Sequence, residues 1–399
     1  MSEVRATATT FNIGSDEIIR SVSKLVMIEP RRYALMGMLH SQGLNFQIEP
    51  SVVNVTGSPI SVKIVSNPKF EMQRDTIEDI KTTVTTEAAA DATSLVVADG
   101  GLIPKYALLY IPRTGEIVRA TAVTANTATI ARATSGTTAA IILADDDVII
   151  MDSAYSENEV SGDISFHNTE FDFNYTQISR EPYGNSRTEQ GTVKYGIDNS
   201  YDRKKKFSLI KLLRRNNGTM WLGGRSIDTS INYRTTGGVL SFIDTDNVYD
   251  VNGSLTQAEF EYWMRKYALA YNNTKKTLFA CSKLIERITS WATDKQISVS
   301  TAQVVSLGLS VKTYHTAWGD LDIVYEPYFD EITSGANPLS TYGVCLDLSF
   351  VKLVYFVNGV LKADDDIQEN DRDGRKGEWL MEFGVQVDNP KSHAIIRGV

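Results

Sequence analysis

The chain has 399 residues, 42% of them hydrophobic and 22% charged, with a formal net charge of −9. That length accommodates two or three domains, and that balance excludes wholesale disorder as well as a protein that coats nucleic acid with its whole surface. Two cysteines, Cys281 and Cys345, are too few for a disulfide framework and lack metal-ligand spacing, so both read as buried thiols. With no basic-then-apolar start and no apolar run near ~20 residues, synthesis in a cytoplasm is expected.

Residues 1–49 are polar and mixed, with a short helical stretch opened by Pro30 and ending near Gly43, and read as an N-terminal arm. From Phe46 to Phe70 alternation takes over, with Gly57-Ser58-Pro59 as a turn. Residues 84–152 are rich in Ala, Thr and Val and carry short strands, with Arg113-Thr114-Gly115-Glu116 as a hairpin turn. This reads as a compact all-β module inserted into the tip of a long two-stranded loop. The flanks of that loop are charged and extended, through Lys69, Glu71, Arg74 and Asp75 on one side and Glu157 and Glu159 on the other.

Tyr195 to Arg225 then reads as one long amphipathic helix. Asp198, Asn199 and Ser200 offer capping oxygens, and Gly223 or Gly224 is expected to take a left-handed C-terminal turn. From Ser200 to Leu222 it would be ~34 Å long. Leu209, Ile210, Leu212, Leu213 and Met220 share an arc of roughly 160°. Arg203, Lys204, Lys211, Arg214 and Arg215 share another of roughly 120°, with Phe207 projecting among them. Asn216-Asn217-Gly218 is a point where the helix would end early, since interior Gly costs roughly 1 kcal/mol. Beyond it, Ser254 and Gln257 suggest a capping box for a helix from Leu255 to about Tyr271. TLFACS reads as a buried strand and KLIERITSWA as a further helix. The remainder is β-rich, interrupted by an acidic loop from Lys362 to Gly377.

Catalytic and metal chemistry find little support. His40, His167, His315 and His393 never pair at helical or strand spacing. Asp244, Asp246 and Asp250, and Asp364 to Asp366 with Asp371 and Asp373, lack the twelve-residue calcium loop and read as solvated. Gly223-Gly224 and Gly237-Gly238 lack the order of a phosphate cradle, and no serine sits in a Gly-flanked elbow. Neither a catalytic residue, a metal site nor a cofactor is expected. The basic helix face is the one charged feature above background. It faces either anions or neighbouring carboxylates.

The order of arm, extended loop with β insertion, long helix and mixed α/β remainder resembles the major capsid proteins of tailed bacteriophages with the Hong Kong 97 fold. The resemblance is closest to a subfamily with a β insertion in the extended loop. It is carried by KFEMQRDT, TGEIVRATAVTANTATIARATSGTTAAI, NYTQI, YGIDNSYDRKKKFSLIKLLRRN, TGGVLSFI, YGVCLDLSFVKLVYF and EFGVQVDNPKSHA, in that order. It implies an α+β capsid fold in five parts: an arm at 1–49, an extended loop at 50–83 and 153–194, and an inserted β domain at 84–152. A peripheral domain with its spine helix would take 195–225 and 346–399, and an axial domain 226–345. The resemblance further implies a non-enzymatic shell protein that forms hexamers and pentamers around double-stranded DNA. Portal, scaffolding and decoration proteins would be its partners, no membrane would be involved, and assembly would occur in the host bacterial cytoplasm. Arg203, Lys204, Lys211, Arg214 and Arg215 would then face the genome, and Lys69, Glu71, Arg74, Asp75, Glu157 and Glu159 would meet neighbouring subunits. Some members carry a Lys–Asn cross-link; the required groups do not fall on matching positions here, and none is expected. Because about 50 residues precede the loop, a separate scaffolding protein is expected in place of a fused one. The alternatives are a β-rich tail or baseplate protein and, third, a hydrolase with a carbohydrate-binding insertion.

Overall fold

The computed structural model describes residue 35 and residues 62–75, 79–158, 169–192, 200–271, 274–295, 312–335 and 338–399. The chain divides into two compact units, residues 73–170 and the remainder.

Strands β1 (Val62–Val65) and β2 (Lys69–Arg74) precede the six strands of the smaller unit. These are β3 (Lys81–Thr86), β4 (Ser94–Val97), β5 (Ala107–Ile111), β6 (Glu116–Thr124), β7 (Thr127–Ala131) and β8 (Asp147–Ser153). They close into a barrel in the order β3-β4-β7-β6-β5-β8, which leaves no strand edge open. Period-two alternation sends Val84, Leu95, Leu109, Val118, Ala128 and Val148 inward to a core of their own. The β5–β6 turn falls at Arg113 to Gly115, with Gly115 at φ 70°. Two ion pairs staple the long β7–β8 connection. Arg132 binds the fully buried Glu116 at 2.8 Å through both carboxylate oxygens, and Arg113 binds Asp146 at 2.6 Å. Burial pushes the Glu116 carboxyl up, but bonds from Arg132, Ala133 N and Ala140 N outweigh that and hold it below its usual range.

The larger unit continues with β9 (Glu170–Tyr175), β10 (Gln177–Ser186), α1 (Arg187–Gly191) and the long helix α2 (Ser200–Leu222). After it come β11 (Ser226–Asp228), β12 (Tyr233–Thr235), β13 (Val248–Asp250) and α3 (Gln257–Trp263), which runs into a π-helix at Met264–Ala268. Next are β14 (Lys275–Ala280), α4 (Ser282–Lys295), β15 (Lys312–Thr316), β16 (Gly319–Tyr325) and α5 (Pro327–Asp330). The chain closes with β17 (Gly343–Leu346), β18 (Val351–Phe356), β19 (Lys362–Asp364), β20 (Gly374–Val387) and β21 (Ala394–Arg397). One sheet has the order β1-β18-β20-β10, with β19 also on β20; the other has the order β13-β21-β17-β14-β16-β15. β2 pairs with β9, and β11 with β12. Trp221, Phe279 and Phe329 anchor the core, the indole meeting the two rings edge-to-face at 5.3 and 4.8 Å. Cys281 and Cys345 are buried thiols, and burial pushes Cys345 up to about 12.

Three local expectations need correction. The capping box lies two residues later, between Thr256 and Glu259, because the Thr256 hydroxyl and the Glu259 side chain satisfy each other's backbone N–H. The helix it starts ends as α at Trp263, where i→i+5 bonding takes over. Gly223 and Gly224 are not left-handed. Gly223 is there for a close approach: a Cβ on it would stand 2.4 Å from Thr236 O.

Candidate functional site

Helix α2 runs unbroken through Asn216-Asn217-Gly218. Its inner face buries Leu209, Leu212, Met220 and Trp221, and Leu213 packs against the same core. Gly218 lies beneath Tyr328, whose hydroxyl would be 2.6 Å from any Cβ at that position. Asn216 Oδ1 accepts from Ser179 Oγ at 2.8 Å. Asn217 Nδ2 donates to Glu326 Oε1 at 3.4 Å. Glu326 is fully buried and also accepts from Trp221 Nε1 at 3.2 Å, Leu35 N at 3.2 Å and Tyr328 N at 3.3 Å. One carboxylate thus ties α2, the head of α5 and Leu35 together. Burial pushes its pKa up, against the pull of those four N–H groups.

The basic face meets carboxylates of its own protomer. Lys204 pairs with Glu189 at 2.7 Å, Lys211 with Glu181 at 2.7 Å and Arg214 with Glu331 at 3.7 Å. Arg215 binds the other oxygen of Glu181, a residue buried on β10. β10 is an edge strand, and the same cations close part of its edge. Lys204 Nζ donates to Gly184 O at 3.1 Å and Arg215 Nη2 to Arg180 O at 3.3 Å, while Pro182 between them has no N–H to offer. Arg203 instead lies over the Phe207 ring at 5.3 Å. Among the described residues neither Arg203 nor the exposed Lys206, which sequence reasoning passed over, has an acidic partner.

The acidic loop is bound where the sequence suggested solvation. Asp365 accepts from Tyr183 at 2.9 Å, Tyr201 at 2.7 Å and Lys205 at 2.7 Å. The Lys205 bond first, then that of Tyr201, lowers its carboxyl to about 2. Asp366 holds Arg375 at 2.6 Å, and that guanidinium stacks 4.3 Å from the Tyr201 ring. The α2 N-terminus is therefore clamped to this loop. No group of three or more His, Cys, Asp or Glu among the described residues is placed to hold a metal ion. His315 pairs with Asp320 at 2.8 Å, and His393 is fully buried. No helix among the described residues is long and apolar enough to cross a membrane.

Of the extended-loop candidates, Lys69 pairs with Glu71 at 3.2 Å and covers the Phe173 ring at 4.5 Å. Arg74 pairs with Glu170 at 2.9 Å. Asp75 and Glu157 are exposed with no ion-pair partner among the described residues. Glu159 lies outside the described residues, as do His40, His167, Asp198 and Asn199. Large apolar side chains stand open along the same segments, Ile80 at 72% and Phe171 at 61% exposed.

A long helix packed on a sheet, a second mixed sheet, a two-stranded ribbon and an inserted barrel together define a Hong Kong 97-type capsid fold. The chain belongs to the SU10 major capsid protein family, whose model matches residues 9–399. It is therefore a self-assembling structural protein of capsids rather than an enzyme. No curated protein matches it. Among solved structures it is similar to the capsid of a native GTA particle, at 8% identity and TM-score 0.45, covering 98% of each chain. It is also similar to the capsid of Myoviridae phage XM1, at 10% identity and TM-score 0.40, covering 62% of this chain and 81% of that one. The SrpI encapsulin of Synechococcus elongatus PCC 7942 matches at 10% identity and TM-score 0.39, covering 59% and 77%.

Proposed function

We propose that the chain is the shell subunit of a tailed phage, assembling through hexamers and pentamers into an icosahedral shell around double-stranded DNA. The observation that carries this is the family match across residues 9–399. Portal and scaffolding proteins are the partners of such a shell, decoration proteins are an optional addition on its outside, and assembly takes place in the host bacterial cytoplasm.

The mechanism is mechanical. Residues 50–83 and 153–194 act as an extended loop that lies on a neighbouring subunit. The two-stranded ribbon buries Phe70 and Met72 within its own chain but leaves side chains such as Phe171 open, and it gains stability when a neighbour covers them. Asp75, Glu157 and Glu159 supply charge for that contact, together with whatever Lys69, Glu71 and Arg74 retain beyond their own pairs. Residues 195–225 and 346–399 form the peripheral domain and 226–345 the axial domain. Heterologous contacts repeated around a ring, and rings with slight curvature, close into a shell.

The basic face of α2 has a divided role in this reading. Lys204, Lys211, Arg214 and Arg215 hold Glu189, Glu181 and Glu331 within the protomer. Arg203, with Lys206 beside it, is the cation left for non-specific contact with packaged phosphates.

Expression of the full chain, followed by sedimentation and electron microscopy, tests the assembly claim. Capsomers or shells are expected, with phage partners co-expressed where needed. A stable monomer at high concentration under all these conditions would refute it.

A further inference from the structure

The π-turn after α3 builds a surface that neither the fold nor the family explains. Leu269 N bonds Met264 O at 2.8 Å, an i→i+5 closure. In an α-helix, residues five apart diverge by roughly 140°; the wider turn returns them to one face. Tyr262 and Tyr267 thereby come within 6.3 Å of each other, and Tyr249 of β13 completes a triad at 6.1 and 5.7 Å. Lys266 places its ammonium 5.4 and 5.3 Å from two of these rings and donates to the Tyr262 hydroxyl at 3.0 Å. Beside it, Arg265 lies 5.9 Å from the ring of Trp318, in the turn between β15 and β16.

The nearby acids are engaged elsewhere. Glu259 closes the capping box, and Glu261 accepts from Gln257 and Tyr314. Arg265 and Lys266 have no carboxylate partner among the described residues. Tyr262 and Trp318 stay 38% and 45% exposed. Exposed Tyr and Trp beside Arg are the composition of binding hot spots. The ring triad also holds the Lys266 charge in place before any partner arrives, which lowers the ordering cost of binding. Two exposed cations without a carboxylate partner among the described residues suit an acidic partner, and a chain of net charge −9 that assembles with itself is one.

We propose that this face docks a second copy of the chain, which presents an acidic segment to Arg265 and Lys266 between Tyr262 and Trp318. The proposal rests on the shell reading above and names one of its contact surfaces.

The test compares the full-length protein with R265E/K266E and with Y262A/W318A by sedimentation velocity and electron microscopy. Thermal unfolding of the unassembled proteins serves as the folding control, and K266Q is a milder third variant. The expected result is at least about a tenfold rise in the concentration needed for assembly for both double variants, with a smaller rise for K266Q. The charge-reversal effect should shrink as salt is raised. If the unsubstituted chain never assembles, the shell reading itself fails. If it assembles and all three variants assemble at the same concentration with unaltered unfolding, the docking surface is overturned while the shell reading stands. Unaltered assembly with lost binding of an oligo-dT probe would also overturn it, in favour of a single-stranded nucleic-acid surface.

Discussion

Glu326 offers the sharpest test of how the long helix is held. It is fully buried, and no cation approaches it among its bonded partners: Leu35 N, Asn217 Nδ2, Trp221 Nε1 and Tyr328 N. In Glu326→Gln one oxygen becomes an NH₂ group and faces two of these N–H donors. An unsatisfied buried donor costs about 1–3 kcal/mol, so two cost roughly 2–6. Removing the buried charge offsets part of this, and a net loss of about 2 kcal/mol at pH 8 is expected. Glu326→Ala removes the acceptor from all four donors and opens a cavity, with an expected loss of about 3–5 kcal/mol.

The pH dependence has a definite sign. Burial raises the folded-state pKa above 4.5, so the folded state binds the extra proton in the interval above that value. Stability from this site is therefore greatest at acid pH and falls as pH rises from about 4.5 through the folded pKa. Urea unfolding of unassembled protein between pH 4.5 and 8.5 measures both effects. The native protein should carry this downward contribution, and E326Q should lack it. If E326Q proves as stable as the native chain at pH 8 or more so, desolvation outweighs the four accepted bonds and the tether argument fails.

Other outcomes follow from buried groups. His393 accepts from Asp347 N and is held at about 4 by burial first and Lys276 next, while Asp388 O, Asp347 and Asp388 favour its charge. Its folded pKa lies below 6.5, so it contributes stability that is complete above about pH 6.5 and lost towards pH 4, at most about 3 kcal/mol; H393Q should flatten that interval in thermal melts. Glu116→Ala leaves Arg132 buried without its carboxylate and should cost about 3–5 kcal/mol, while residues 79–155 expressed alone should melt cooperatively in calorimetry. A non-cooperative melt of that fragment would show that the barrel depends on its neighbours.

Much of this architecture was legible where side chains repeat with a period. The α2 limits followed from apolar spacing between capping and Gly-Gly residues, and the inserted all-β module, though not its closure into a barrel, from alternating runs about a Gly-containing turn. What escaped was chemistry between distant positions. Glu326 is 109 residues from Asn217, and nothing local marks it except its apolar flanks in VYEPYF, a signal of burial that went unused. Asp365 looked solvated because its Tyr201 and Lys205 partners lie more than 150 residues away. The π-turn carries no composition signature, so nothing in the expected helix from Leu255 to about Tyr271 brings Tyr262 and Tyr267 together.

The apolar arc of α2 runs on to Met220, but the basic arc stops at Arg215. From Asn216 onward Asn216, Asn217, Gly218, Met220 and Trp221 are buried, while Thr219 is half-buried and Leu222 is exposed, so the buried side of this end carries polar residues as well as apolar ones. Polar residues there cannot be read by amphipathic rules: Ser179 donates to the Asn216 oxygen, whose amide nitrogen has no partner among the described residues, and Glu326 accepts from Asn217. Gly218 belongs to the same logic, because the Tyr328 ring occupies the volume that a side chain would need. The triplet that looks like a helix stop is instead the place where the helix is gripped. A buried carboxylate shared by α2, α5 and Leu35 couples them, so loss of that one group releases all three contacts at once. That joint lies at the end of α2 beyond the charged pairs to Glu181 and Glu189.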